Sequence, residues 1–273
     1  MNDPKTIYQL KFPDLSAEDI KAGINGVIGR EILLYETVDS TNTLASELAE
    51  EGATEGTVVV ADSQVRGRGR LGRPWVSPSG VNVYMSIVLR PDMKPKDATL
   101  LTIMASVGCT TALRRATDLD ITIKWPNDLM VSEKKLGGIL IETRVAREKI
   151  EYAITGIGIN VNMDSDVLPD VVKEVATSIK METGRVFSRT EIIKEVLNEI
   201  NDWYNVLKEK RHSELLSCWK QLTSTLGRNV EIVLDNETLQ GLAESITDEG
   251  MLIVRLPSGV SRVVHYGDLR LLR

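Results

Sequence analysis

Val81, Val83, Met85, Ile87 and Leu89 alternate with Asn82, Tyr84 and Ser86. A period of two puts the apolar set on one face, so residues 81–90 are expected to form a strand. Residues 31–35 and the β-branched run 57–62 read the same way. Ile121, Ile123 and Trp125 alternate with Thr122 and Lys124 until Pro126-Asn127-Asp128 ends the run. Residues 139–141 start a further strand, and 153–162 form one with Gly156 and Gly158 on a single face. Helical spacing appears between these runs. Residues 14–20 make a short capped helix. Leu44, Ala45, Leu48 and Ala49 follow the capping residues Asp39-Ser40-Thr41-Asn42. Leu100, Leu101, Met104, Val107, Ala112 and Leu113 mark a helix over 97–117, with Ala105 and Gly108 permitting close packing. A Ser188/Glu191 capping box opens a helix to about 209, and a shorter one surrounds Leu215, Leu216 and Trp219. From Leu226 the rhythm changes. Gly227, Gly241, Gly250, Gly259 and Gly267 separate the runs 230–234, 239–244, 252–256, 261–265 and 269–272, which predicts a small β-barrel.

The strand at 81–90 is preceded by Gly67-Arg68-Gly69-Arg70-Leu71-Gly72-Arg73-Pro74-Trp75. Glycine lets backbone N–H groups approach a ligand closely. Arginine adds a permanent planar cation that forks onto carboxylate or phosphate. The spacing spells G-x-G-x-x-G, but a dinucleotide fingerprint needs a helix after it, and prolines and a strand follow here. An ordinary Gly-rich surface loop accounts for the same composition. Trp75 beside the arginines favours a loop that also stacks on a nucleobase.

The surrounding chain is acidic overall, with a formal net charge of -6, so nucleic acid is not the expected partner. Cys109 and Cys218 lie far apart and read as buried free thiols. His212 and His265 have no metal-ligand spacing, which argues against a His-based metal site or a Ser-His-Asp triad. No signal peptide is evident, and no apolar run approaches the roughly 18 residues that span a membrane. A cytoplasmic location is therefore expected.

Other segments carry candidate chemistry, each with a plain structural alternative. Ser40-Thr41-Asn42 is either a helix cap or a set of polar groups for a ligand at a helix N-terminus. Lys124 through Asp128 places a cation and two oxygen-bearing side chains at a strand end, or simply makes a turn. Lys134-Lys135-Leu136-Gly137-Gly138 brings the backbone close to something. Glycines at 156 and 158 leave room for a flat ligand, or mark a bulged strand.

The loop 67–75 resembles the biotin-binding loop of biotin–protein ligases. Residues 38–42, Lys124-Trp125-Pro126-Asn127-Asp128, Lys135-Leu136-Gly137-Gly138-Ile139 and Gly156-Ile157-Gly158-Ile159-Asn160-Val161-Asn162 resemble further motifs of that family, in the family's order. The resemblance covers about residues 31–273. Leu71 departs from it, because some members carry another basic residue there. The resemblance implies an α+β fold: a mixed or antiparallel sheet with flanking helices, like class II synthetases, plus a small SH3-like barrel. It divides the chain into a lead-in (1–30) too short for a DNA-binding domain, a catalytic unit (31–224) and a C-terminal unit (225–273).

The implied reaction joins biotin to ATP as biotinyl-5′-AMP, then moves biotin to a lysine of a biotin carboxyl carrier protein domain, with Mg2+ on the phosphates. Ser40, Thr41, Asn42, Gln64, Gly67, Arg68, Arg70, Lys135 and Gly137 are the implied biotin residues. Arg68, Arg70, Arg73, Trp75, Lys124, Asn127, Asp128, Lys135, Gly158 and Asn160 are those for ATP and the adenylate. Lys135 and Arg70 are the catalytic pair, and Asn127 and Asp128 are metal-ligand candidates. A lipoate-type ligase and a non-enzymatic biotin-binding protein are the alternatives; a DNA-binding regulator is disfavoured by charge. A homodimer through a sheet edge is an open expectation.

Overall fold

The computed structural model describes residues 14–272. The expected lead-in falls partly outside them, at 1–13. Helix α1 (Ala17–Ala22) begins at Ser16, whose hydroxyl accepts from the Asp19 N–H. A seven-stranded sheet follows, built from β1 (Glu31–Val38), β2 (Thr57–Gln64), β3 (Val83–Leu89), β4 (Ile121–Lys124), β5 (Asp128–Val131), β6 (Lys134–Ala146) and β7 (Lys149–Ile159). Its order is β1-β2-β3-β7-β6-β5-β4. Only β1 and β2 run parallel; the other neighbours are antiparallel. The expected mixed sheet is what forms.

One face packs on α3 (Thr99–Thr117), α6 (Arg189–Lys208) and α7 (His212–Leu222). Helix α3 approaches α6 closely at Gly108, where a Cβ would sit 2.9 Å from Ile200. The other face is covered by α2 (Thr41–Glu50), whose Ala45 and Ala49 bury against Val59, Val88, Tyr152 and Ile154. Central strand β3 is therefore buried on both faces. Alternation had predicted one apolar face, but the polar positions are buried too, and their hydroxyls are satisfied: Tyr84 donates to Pro78 O at 3.0 Å, and Ser86 bonds within the α2 layer. Strand β5 was not foreseen. Asp128 ends the turn and at once begins a return strand, pairing back onto Lys124.

Short helices α4 (Asp170–Lys173) and α5 (Ile179–Thr183) lead to α6. There Ser188 accepts from the Glu191 N–H as expected, while the Glu191 carboxylate pairs with Lys194. After α7 comes the SH3-like antiparallel sheet of β8 (Asn229–Val233), β9 (Thr238–Ile246), β10 (Leu252–Arg255), β11 (Ser261–Val264) and β12 (Asp268–Leu271), in the order β11-β10-β9-β8-β12. Cys109 is buried and Cys218 half-buried, both as free thiols. Among the described residues no helix is long and apolar enough to cross a membrane.

Candidate active site

Several segments converge on one groove, among them the arginine loop, the end of β2 at Gln64, the N-terminus of α2, the β4–β5 turn, the glycine-bearing stretches of β6 and β7, and Gly267–Leu269 from the C-terminal sheet. The loop folds back on itself. The Trp75 backbone N–H donates to Gly67 O at 2.8 Å, and that of Gly69 donates to Arg73 O at 2.8 Å. At its tip Leu71 adopts a left-handed backbone (φ 57°), and Gly72 follows at φ 69°. Leucine rarely takes that region, so the tip is locally strained.

The N-terminus of α2 is built differently from the expectation. Ser40 occupies the cap position, but its side chain makes no capping hydrogen bond. Gln64, at the end of β2, supplies it instead: its Oε1 accepts from the Thr41 N–H at 2.9 Å. Its Nε2 donates to Ser77 Oγ at 2.9 Å, so the amide is fixed at both ends. Asn42 lies against the sheet because β7 has no side chain at Gly156. A Cβ there would come within 2.0 Å of Asn42 Oδ1.

Trp75 uses the next gap in β7. A Cβ at Gly158 would lie 2.7 Å from the indole nitrogen. Lys135 Nζ sits 5.5 Å from the ring centroid, within cation–π range. The indole N–H itself is buried without a partner among the described residues. The alternating glycines of β7 thus give one strand two jobs, each a close approach that Cβ would block.

Among the described residues, five cationic side chains line the groove (Arg68, Arg70, Arg73, Lys124 and Lys135) against two carboxylates, Asp128 and Asp268. Lys135 Nζ is 2.5 Å from Asp128 Oδ1, and Lys124 Nζ is 3.8 Å from Oδ2. Arg73 forks onto Asp268 at 3.1 and 2.7 Å, tying the loop to the C-terminal sheet. Arg68 meets both oxygens of Glu142 at 3.0 Å and donates to Thr43 Oγ1 at 2.7 Å. Arg70 is the exception. It donates to the neutral Asn127 Oδ1 at 3.1 Å. Burial lowers its pKa; the charges of Asp128 and Asp268 oppose that shift without cancelling it, and Arg73 adds to it. A desolvated guanidinium facing an amide has room for an anion.

Thirteen of the sequence-predicted positions line this groove: Ser40, Thr41, Asn42, Gln64, Arg68, Arg70, Arg73, Trp75, Lys124, Asn127, Asp128, Lys135 and Gly158. Gly67, Gly137 and Asn160 do not. Gly67 packs at the loop base, where a Cβ would meet Ser77 Oγ and Trp75 O at 2.6 Å. Gly137 packs within the sheet against Gly158 O, and Asn160 donates to Thr177 O at 2.9 Å. Asp268, Ser86 and Glu142 were not singled out by the sequence reading. Ser86 was read only as the polar phase of its strand, and Glu142 and Asp268 carried no signal.

Asn127 and Asp128 do not make a resident metal site. Asn127 Oδ1 serves Arg70 and its Nδ2 donates to Ile139 O at 2.7 Å, while both Asp128 oxygens face lysines. Among the described residues no group of three or more His, Cys, Asp or Glu could hold an ion.

Comparison with known proteins gives a consistent set of likenesses. The model of the biotin/lipoate A/B protein ligase family matches residues 34–160, and that of the biotin protein ligase C-terminal domain matches 225–269. A bifunctional ligase/repressor BirA of Bacillus spizizenii is 34% identical over 250 residues, covering 91% of this chain and 77% of the relative. A biotin–[acetyl-CoA-carboxylase] ligase of Paracoccus denitrificans is 31% identical, covering 81% and 92%. Among solved structures, a biotin protein ligase from Aquifex aeolicus in complex with biotin and ATP matches with a TM-score of 0.76 at 30% identity, covering 89% of this chain and 99% of that one.

Proposed function

The chain belongs to the biotin/lipoate A/B protein ligase family, and from that premise we propose how its groove performs biotin–protein ligation. The enzyme activates biotin with ATP and transfers it to a lysine of a carrier protein. In the first step a biotin carboxylate oxygen attacks the α-phosphorus of ATP. The bond to the β-phosphate bridge breaks and pyrophosphate leaves. In the second, a lysine amine attacks the acyl carbon of biotinyl-5′-AMP. AMP departs, an amide forms, and the amine's surplus proton passes to solvent.

The carboxylate is already a nucleophile at neutral pH. The obstacle is bringing two anions together and stabilising the charge that grows on phosphorus. Preorganised cations in a partly desolvated groove lower that barrier without a histidine or serine base. The observation that carries the reading is the surplus of cations over carboxylates in the groove lining, with Arg70 held against an amide rather than an acid.

Ser40, Thr41, Asn42 and Gln64 face the cyclic urea of biotin, which presents both donors and an acceptor. Arg68 and Arg70 clamp the carboxylate and then the adenylate phosphate. Arg73 turns from Asp268 to the departing phosphates. Lys135 moves from Asp128 to the α-phosphate, with Lys124 and Asn127 steadying it. Trp75 packs on adenine above Gly158, and closure of the loop keeps water from the mixed anhydride. Gly67, Gly137 and Asn160 support this arrangement from outside the lining. Magnesium enters on the ATP phosphates as part of the substrate. Residues 31–224 are the catalytic unit and 225–273 the C-terminal unit. The reaction takes place in the cytoplasm on a biotin carboxyl carrier domain. A homodimer would join through a sheet edge, at β1 or β4, and sedimentation measures its mass.

The test is incubation with biotin, magnesium ATP and a carrier domain, followed by mass spectrometry of the carrier. Addition of biotin to one lysine is the expected result. Addition of lipoate in preference to biotin, when both acids compete, or biotin binding without pyrophosphate release, would replace this reading.

A further inference from the structure

The acceptor lysine approaches this groove as a cation, and the groove is cationic already. Among the described residues its lining sets five positive side chains against two carboxylates, Asp128 and Asp268. A bound biotinyl-5′-AMP adds one negative charge, on its phosphate, and the surplus stays positive. The two carboxylates are therefore where the lining attracts an ammonium rather than repelling it. In the resting groove both are occupied, but unequally. Asp268 is forked by both Nη atoms of Arg73, at 3.1 and 2.7 Å. The departing phosphates draw that arginine away, and it returns once they have left. Asp128 has a single close cation: Lys135 Nζ lies 2.5 Å from Oδ1, whereas Lys124 Nζ is 3.8 Å from Oδ2. Arg70 lies near enough to feel the Asp128 charge but donates to Asn127 instead.

Lys135 is the group assigned to the α-phosphate, and that phosphate stays in the adenylate after pyrophosphate has gone. Asp128 Oδ1 is thus uncovered for the second step, close to the phosphate that Lys135 now holds. The acid itself keeps its place, because β5 begins there and pairs Asp128 with Lys124 on one side and Gly138 on the other. Its side chain is 18% exposed, so it is open to the groove and little screened by water. We propose that Asp128 receives the acceptor lysine: vacated by Lys135 when the adenylate forms, it binds the incoming ammonium beside the mixed anhydride. The proposal rests on the ligation reading above. Held there, the ammonium passes one proton to water, a loss eased by the neighbouring charges of Lys124 and Lys135. Its lone pair attacks the acyl carbon. The bond from that carbon to the phosphate oxygen breaks with its electron pair on AMP, and the nitrogen sheds a second proton to water as the amide forms. Asp128 is unchanged at the end. One carboxylate serves two cations in turn, so the carrier lysine has no landing point until biotin is activated.

Asp128→Asn tests this, because it removes the charge and keeps the shape. Chemically prepared biotinyl-5′-AMP is supplied, so that the first step does not enter. Transfer is measured to the lysine of a carrier domain and, separately, to hydroxylamine, a nucleophile that is uncharged at neutral pH. The ratio of the two kcat/KM values, lysine over hydroxylamine, is expected to fall by about ten- to a hundredfold in the variant, the range of one hydrogen bond to a charged group. An unchanged ratio means that Asp128 only stores Lys135, and overturns the proposal. If Asp128→Asn does not fold, the wild type decides through its carrier. Calorimetry compares the carrier domain with one whose acceptor lysine is replaced by methionine, on the empty enzyme and on enzyme loaded with a non-reactive biotinyl-adenylate analogue. The lysine form should bind about three- to tenfold tighter on the loaded enzyme, the equivalent of one net hydrogen bond, and the two forms alike on the empty one. Equal affinities on the loaded enzyme overturn the proposal, and so does a preference equally strong on the empty one. A wild type that transfers biotin from the adenylate to neither acceptor removes the functional reading, and this proposal with it.

Discussion

Two arginines in this molecule are withdrawn from water in opposite ways. Arg189, at the start of α6, is 1% exposed and saturated. It donates to both oxygens of Asp14 at 2.8 and 2.5 Å and to Asp62 Oδ1 at 2.6 Å. Burial pulls its pKa down, but the hydrogen bonds and charges of the two aspartates more than reverse this, and the net shift is upward. Arg70 is half-buried and faces an amide, and there burial wins. The first guanidinium is a pin, joining the chain before α1, the end of β2 and the head of α6. The second has spare capacity for negative charge. Desolvation gives structure in one place and a binding site in the other, and the difference is whether the protein supplies the counter-charge.

The largest effect should come from breaking the pin. Arg189→Ala leaves Asp62 buried without its cation, and the expected loss is about 3–5 kcal/mol of folding stability by urea denaturation. Burial raises the Asp14 pKa, but the hydrogen bond and charge of Arg189 outweigh it, and the carboxyl sits below its ordinary value. A depressed carboxylate stabilises the fold above its unfolded pKa, about 3.9, and loses that contribution as pH falls through the lower folded value. Wild-type stability should therefore fall on acidification below about pH 4, and Arg189→Ala should lack this component. A variant that melts like the wild type would remove the contrast altogether.

Arg70→Ala probes the other member of the pair. Biotin-dependent pyrophosphate release should drop by about 2–5 kcal/mol in kcat/KM, the range for truncating one member of a desolvated charge pair. Folding stability should stay within about 0.5 kcal/mol, because no acid is stranded. A large loss of stability with unaltered turnover would make Arg70 a second pin and reverse its assignment.

Gly158→Ala sharpens the comparison from the sheet side. The new methyl would meet the indole of Trp75 at 2.7 Å, a distance that forces the ring away from β7. Overpacking of this kind costs about 1–3 kcal/mol. The expected reading is a raised KM for ATP with biotin binding nearly intact. A proportional loss of both affinities would mean that the whole loop, and not the ring, has moved.

Much of this was legible in the chain before any coordinates. The apolar set of β3 and the stripes of α3 and α6 report burial, and the glycine punctuation after Leu226 reports turns; burial and turning are what shape those elements. The groove was partly legible too, because glycine interleaved with arginine brings both backbone N–H groups and permanent cations up to an anion. What the chain concealed were relations between distant residues. Gln64 replacing Ser40 as the cap of α2 depends on β2 ending beside that helix. Asp268 meeting Arg73 depends on how the C-terminal sheet packs, and a lone aspartate after a glycine gives no hint of it. Gly137 and Asn160 belong to the recognisable motifs, yet Gly137 faces the sheet and Asn160 the chain just before α5. A motif marks a stretch of chain, whereas the face each side chain takes is set by pairing register.

The smallest effect should come from the Arg73–Asp268 pair, which is half in water. The Arg73 hydrogen bond holds the Asp268 carboxyl below its usual range, against burial that pushes it up. Sign and window follow as for Asp14: the tie is present above about pH 4 and weakens as the carboxyl protonates below it. Asp268→Asn removes the charge and leaves the shape. Exposed pairs contribute about 0–1 kcal/mol, so a shift in the unfolding midpoint near the limit of detection is expected. The informative measurement is the KM for ATP. Arg73 must leave Asp268 to meet phosphate, so freeing it in advance should lower that KM modestly, by about two- to fivefold, the equivalent of one surface pair. A raised KM would mean that Asp268 orients Arg73 for the phosphates, and that the C-terminal sheet belongs to the site's positive machinery and not to its resting clasp.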